Sequence, residues 1–271
     1  MKQRNGNIIC RFLVGIFAFS VIAPMIVLAV WTFTERWAWP DLIPQTFSCR
    51  ALLEVFERKE ELIQIFASSV LISSIVAVIS AVIGIMTARA LIFYDFIGKQ
   101  LFYFLALLPF MVPATVFAMG IQVTFIKWGL NNRMGGVIIA HVICSLPYAV
   151  RLMCEGTQAV GKRLEEQARV LGAGMWMAFY KVTFPALVPS ILASMSMAYV
   201  ISFSQYFVTL LIGGGQVKTF AIVMVPYLQG ADRNIASIYS MIFLILTLVV
   251  FALFEWLIRR WNQDGGSDYY T

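Results

Sequence analysis

The chain has 271 residues, 61% of them hydrophobic and 13% charged, with a formal net charge of +6. Mean hydropathy is +0.83 and the isoelectric point near 9.2. A soluble domain carries about a quarter charged residues, so the solvent for most of this chain is lipid, and a sizeable soluble domain is excluded.

Six apolar segments, 8–33, 63–88, 101–126, 135–152, 187–212 and 235–258, each approach the roughly 20 residues of a membrane helix. They are continuous runs, whereas a membrane barrel alternates apolar and polar residues. The expected class is therefore an all-α membrane protein with six transmembrane helices. The first segment is too long for the core of a signal peptide and has no clear small-residue cleavage site after it, so it is read as a span. With both termini inside, the cytoplasmic side holds more Lys and Arg in less chain, including Arg89, Arg151, Lys162, Arg163, Arg169 and Lys181. The basic residues lie in loops and form no stripe interleaved with aromatics, so nucleic acid is not an expected partner. Membrane lipid is.

Between the first two spans lies the longest outer loop, 34–62. Its tail, 50–62, spaces Leu52, Leu53, Phe56 and Ile63 among charges, which predicts an amphipathic helix on the membrane surface. The last outer loop, 213–234, begins with three glycines, contains Pro226, and is expected to be irregular. After Arg260 the tail is polar and expected to fray. Cys10, Cys49, Cys144 and Cys154 show no metal-ligand spacing and read as free thiols.

The stretch 163–189, on the cytoplasmic side between the fourth and fifth spans, does not read as a loop. Residues 163–171 contain no breaker; Leu164, Ala168 and Leu171 share a helical face, with Glu165, Glu166 and Arg169 elsewhere around it. Gly172 and Gly174 end that helix in a sharp turn. Trp176, Phe179, Val182 and Phe184 then space a second helical piece against the membrane, and Pro185 and Pro189 bracket the entry to the fifth span. A short helix tied at both ends to membrane helices can receive force from a partner. Ala168 allows close approach, and Glu166 offers an exposed ionic contact.

Here the chain resembles the permeases of binding-protein-dependent ABC importers with the MetI-like type I fold. Their EAA loop runs Glu-Ala-Ala, three residues, Gly, and later Leu-Pro; this chain has Glu166-Gln167-Ala168, then Gly172-Ala173, and later Phe184-Pro185. Gln167 and Phe184 depart from the pattern. The resemblance covers 63–258 as the permease core, with 1–62 an added N-terminal helix and loop and 259–271 a cytoplasmic tail. It implies that 163–172 is a coupling helix docking on an ATPase, with Leu164, Glu165, Glu166, Ala168, Arg169, Leu171, Gly172 and Ala173 at the contact. The implied partners are an ABC ATPase dimer, a second permease subunit (in this group usually a different chain) and an extracytoplasmic solute-binding protein. ATP is then used by the ATPase, and this chain binds no cofactor and is not an enzyme. The implied location is the bacterial inner membrane, and layout points to the polyamine, phosphonate and thiamine-like importers. Polyamine permeases often carry acidic residues where this chain has Ser204-Gln205, which speaks against a polycation.

For the translocation path, the candidates are Gln122, Ser202, Gln205 and Tyr206, polar residues in apolar spans; Ser and Thr there often only hold helices together. His141, the one histidine, reads as a neutral residue bonded to a neighbouring helix or, alternatively, as a functional intramembrane group. The run Gly213-Gly214-Gly215-Gln216-Val217-Lys218-Thr219 is not a phosphate loop, because Val217 stands where glycine must precede the lysine. Two other classes make distinct demands. An ion-coupled secondary transporter calls for intramembrane carboxylates or related broken halves. An intramembrane enzyme calls for a converging nucleophile and base, or for metal ligands.

Overall fold

The structure, a computed structural model, describes residues 2–37, 41, 43–230 and 232–265, with side chains from 11 to 261 within those. In chain order, helix α1 (Lys2–Thr32) is followed by a two-stranded antiparallel hairpin, β1 (Thr34–Arg36) and β2 (Thr46–Phe47). Then come α2 (Arg50–Glu57), α3 (Lys59–Phe93), α4 (Lys99–Met111), α5 (Ala114–Lys127) and α6 (Met134–Val160). Next, α7 (Arg163–Val170) and α8 (Met175–Ala178) lead through a π-turn (Phe179–Thr183) into α9 (Phe184–Ser204). The last elements are α10 (Phe207–Gly213), α11 (Phe220–Gln229) and α12 (Arg233–Gly265).

Five helical stretches are long and apolar enough to cross a membrane, and α4 with α5 makes a sixth if the bent pair is one span. The expectation of one straight helix over 101–126 is corrected here. Its halves meet at 109°. Pro113 has no amide to continue a helix and pushes Val112 into extended backbone (φ −91°, ψ 132°), so α4 must end there.

The expected fifth span, 187–212, is also redrawn. Its helix starts at Met175 and stops at Ser204, and α10 is a separate helix. The π-turn lies just ahead of Pro185, whose ring would otherwise press on the carbonyl four residues back. The loop 213–234 is less irregular than expected, since it contains α11. The helix predicted over 50–62 is α2 followed directly by the start of α3, with Arg58 between them. The tail stays helical to Gly265. Residues 266–271 of that tail, 38–40 and 42 of the first loop, and the Cys10 side chain lie outside the described residues.

The chain divides into two units. One comprises 1–62 with 223–246, the other 63–222 with 247–271. In the first unit, aromatic residues gather near the ends of the helices. Trp31 stacks on Trp37 with centroids 5.1 Å apart, Arg233 lies 5.6 Å above Trp31, and Tyr227 stacks on Tyr239 at 4.9 Å. Amphipathic rings of this kind suit the ends of membrane helices.

The second unit holds the core. Ile72 and Val76 of α3, Phe125 of α5, Val137 of α6, and Val208 and Ile212 of α10 are buried together. In lipid this burial is driven by close packing, so small residues at helix contacts matter most. A side chain on Gly84 of α3 would meet the Ala149 carbonyl of α6 at 3.2 Å, and one on Gly156 of α6 would strike the Ser190 side chain of α9. Cys144 and Cys154 are half-buried free thiols, and Cys49 is an exposed one.

Candidate functional site

Two places in the second unit bring the sequence candidates together. The first is α7. Both its flanking turns require glycine: Gly161 (φ 70°, ψ 179°) precedes it and Gly172 (φ 89°) follows it. The two carboxylates in its first turn face opposite ways. Glu165 is 8% exposed and takes two hydrogen bonds, of 2.9 and 3.1 Å, from Arg89 of α3. It takes a third from Thr183 in the π-turn, at 3.0 Å. The Arg89 guanidinium lies between two rings, 4.8 Å from Phe179 and 5.3 Å from Phe93. Buried charges need such pairing; Glu165 has it, while Arg89 Nη1 is buried with no hydrogen-bond partner among the described residues. Glu165 therefore anchors α7 to two membrane-spanning helices.

Glu166, one residue on, is exposed beside Lys162 at 3.5 Å. With Arg163, Gln167, Val170 and Leu171 it lines a shallow surface groove. Val170 and Leu171 are 87% and 88% exposed, and Trp176 is 73% exposed. This is apolar surface set among charges, left exposed by the described residues, and such surface marks an interaction site. Leu164 and Arg169 are exposed as well, while Ala168 and Ala173 are half-covered.

The second place is an open cavity of about 560 Å³ at the α4–α5 break, lined by Pro109, Phe110 and Pro113 together with Tyr148 of α6 and Ser204 and Gln205 at the end of α9. Of the four path candidates, Gln205 alone lines it. Gln122 of α5 gives its amide to the Leu211 carbonyl of α10 at 3.0 Å. Ser202 is buried against His141. Tyr206 sits half-buried in the break between α9 and α10. His141 is fully buried, with Nδ1 2.9 Å from Ser202 Oγ and Nε2 2.9 Å from Thr209 Oγ1. Of the two readings of this residue, its contacts fit the histidine bonded to a neighbouring helix. A larger open groove of about 920 Å³ runs between the end of α3, α4 and α6. Its charges are matched in pairs, Lys99 to Asp95 at 2.9 Å and Arg151 to Glu155 at 3.2 Å. Among the described residues no three His, Cys, Asp or Glu side chains cluster to hold a metal ion.

The Arg89–Glu165–Thr183 junction was not legible in the sequence. Glu165 and Glu166 are adjacent and chemically alike; only the position of α3 decides which one turns inward.

A family described as "Binding-protein-dependent transport system inner membrane component" matches residues 80–263. The molybdate/tungstate transport system permease protein WtpB of Thermococcus kodakarensis is 27% identical over 74% of this chain and 80% of its own. The molybdenum transport system permease protein ModB of Escherichia coli K12 is 27% identical over 73% of this chain and 94% of its own. A probable sulfate transport system permease protein, cysT of Marchantia polymorpha, is 28% identical over 63% of this chain and 64% of its own. In fold, the chain is similar to a bacterial ABC transporter involved in the import of the acidic polysaccharide alginate, with a TM-score of 0.73 at 18% identity over 95% of this chain and 96% of that one. The expected polyamine, phosphonate and thiamine-like grouping is corrected by these relatives, which are named for molybdate, tungstate and sulfate.

Proposed function

Because the chain belongs to the family of binding-protein-dependent transport system inner membrane components, we propose that it is the permease subunit of an ATP-driven importer for a small oxyanion of the molybdate, tungstate or sulfate kind. The observation that carries the coupling half of this reading is α7, locked inward by Glu165 and bare outward at Glu166, Val170 and Leu171. It is a rigid handle for another protein. That partner is an ATPase dimer that binds and hydrolyses ATP, and this chain contributes docking surface and pathway, not catalysis. α7 and both termini lie on the cytoplasmic side, and a solute-binding protein delivers the anion to the other. A second permease subunit, of this or another gene, completes the path. ATP-driven movement shifts the bundle between inward- and outward-facing states, which requires that the ATPase bind α7 differently in the two.

The oxyanion is supported by the three relatives and by the chemistry at the break. Tyr148 and Gln205 offer hydroxyl and amide donors there, and the described cavity lining contains no carboxylate. A polycation would need acidic groups in the pathway; a dianion is repelled by them.

The test is affinity purification from native membranes of the wild-type chain and of Glu166→Arg, with co-purifying proteins identified, followed by uptake of radiolabelled molybdate into vesicles. The expected result is an ATPase with the wild type, its loss from the variant, and uptake that requires ATP. A wild-type chain that is folded and brings no ATPase overturns the coupling reading. An assembled complex that does not take up molybdate, tungstate or sulfate overturns the substrate.

A further inference from the structure

Helix α9 stops where its own sequence gives no reason to stop. From Ser190 to Ile212 there is neither glycine nor proline. Yet Gln205 is extended (φ −71°, ψ 105°), and a new helix starts at Phe207. Helix breaks have identifiable causes: proline, glycine or serine pairs, π-bulges, or a side chain entering the hydrogen-bond ladder. Ser204 contributes a little, since its hydroxyl bonds the Ile201 carbonyl at 3.1 Å and so competes with the ladder. The larger cause is lateral.

His141 on α6 bonds both sides of the break at once, Ser202 before it and Thr209 after it, each at 2.9 Å. In an unbroken helix those two residues would be about 10 Å apart along the axis. Two hydrogen bonds with an imidazole between them span about 8 Å at full stretch, so an unbroken helix would carry the bridge only with both hydroxyls leaning toward the ring. The donors and acceptors follow from Thr209, which gives its one hydroxyl proton to the Gln205 carbonyl at 2.6 Å. Its oxygen therefore accepts from His141 Nε2–H, and Nδ1 accepts from the Ser202 hydroxyl. Gln122 holds α10 from α5 through the Leu211 carbonyl, and the Asn132 amide holds its end through the Ile212 carbonyl at 2.7 Å.

We propose that His141 is the clamp of this break, a positioning residue that keeps α9 and α10 separate helices and so keeps Gln205 turned toward the cavity. The transport reading supplies only what that cavity is for; the clamp and its test stand without it.

The experiment places spin labels on either side of the break. Met197 of α9 and Leu210 of α10 are exposed and are replaced by cysteine in a full-length chain whose four own cysteines have been substituted. Distances are read by pulsed electron resonance in lipid nanodiscs, with labelled chain diluted by unlabelled so that only distances within one chain count. In His141→Leu and in the near-isosteric Thr209→Val, the main distance should move toward that of a continuous helix, about 20 Å over thirteen residues. In His141→Gln it should stay as in the parent, because an amide supplies one donor and one acceptor at similar reach. An unchanged distance in His141→Leu or Thr209→Val overturns the proposal, and so does a shift in His141→Gln as large as that in His141→Leu. If His141→Leu fails to fold, Thr209→Val decides. Failure of molybdate uptake would count against the substrate and leave these distances as they are.

Discussion

Replacing Arg89 with methionine leaves the Glu165 carboxylate, whose side chain is 10% exposed, with the Thr183 hydroxyl as its remaining partner in the junction. Removing one member of a buried ion pair costs about 3–5 kcal/mol, because the other charge stays desolvated. The Arg89 side chain is 20% exposed and the Thr183 bond survives, so the low end, about 3 kcal/mol, applies. Methionine keeps a favourable thioether contact with Phe93 and Phe179, so little more is lost there. The cost falls on the docking of α7, not on the whole fold, and 3 kcal/mol is roughly a hundredfold rise in the open population of that helix. Limited trypsin digestion reads that population, since Lys162, Arg163 and Arg169 are exposed but held in or beside helix. Cleavage there should be about a hundred times faster in Arg89→Met. The double variant Arg89→Met with Glu165→Met leaves no buried charge and should return to within about tenfold of the wild type. Cleavage of the single variant within about threefold of wild type would refute the anchoring role.

Gly156→Ala forces a methyl group into Ser190 at the α6–α9 contact and should cost about 1–3 kcal/mol, read as a melting temperature lowered by several degrees in detergent. Gly172→Ala meets no neighbour but strains a φ of 89°; about 1 kcal/mol of loosening should speed tryptic cleavage at Arg169 about fivefold, with little change in melting. Gln205→Glu places a carboxylate in the cavity and should lower molybdate uptake at least about tenfold, while Gln205→Asn stays within a few-fold. Equal uptake in those two variants would remove Gln205 from the path.

The spans could be read early because hydropathy is a property of composition, and a run of some twenty apolar residues has few fates other than a membrane helix. The α4–α5 bend was half legible. Pro109 and Pro113 stand in plain view, but hydropathy runs straight through them, and a proline states that amides are missing without stating the 109° turn. Gly172 marked the end of α7, because a left-handed glycine conformation is a local demand that sequence can carry; Gly161, which the sequence pattern does not single out, takes a positive φ ahead of it. The candidates for the path were less legible. Gln122, Ser202 and Gln205 are all polar residues in apolar helices, yet two of them hold helices together and one faces a cavity, and polarity alone does not separate these uses.

By itself, the sequence determined what depends on neighbours along the chain: membrane residence, the rough limits of most spans, and a breaker-free helix ended by glycine. Tertiary structure alone decided what depends on neighbours across it. Glu165 turns inward because Arg89 of α3 and Thr183 of the π-turn meet it there. The chain breaks at Gln205, without proline or glycine, because His141 bonds the residues on either side from another helix. Hydrogen bonds between residues from 18 to 76 positions apart set both features, and a pattern with a period of 3.6 residues holds no record of them.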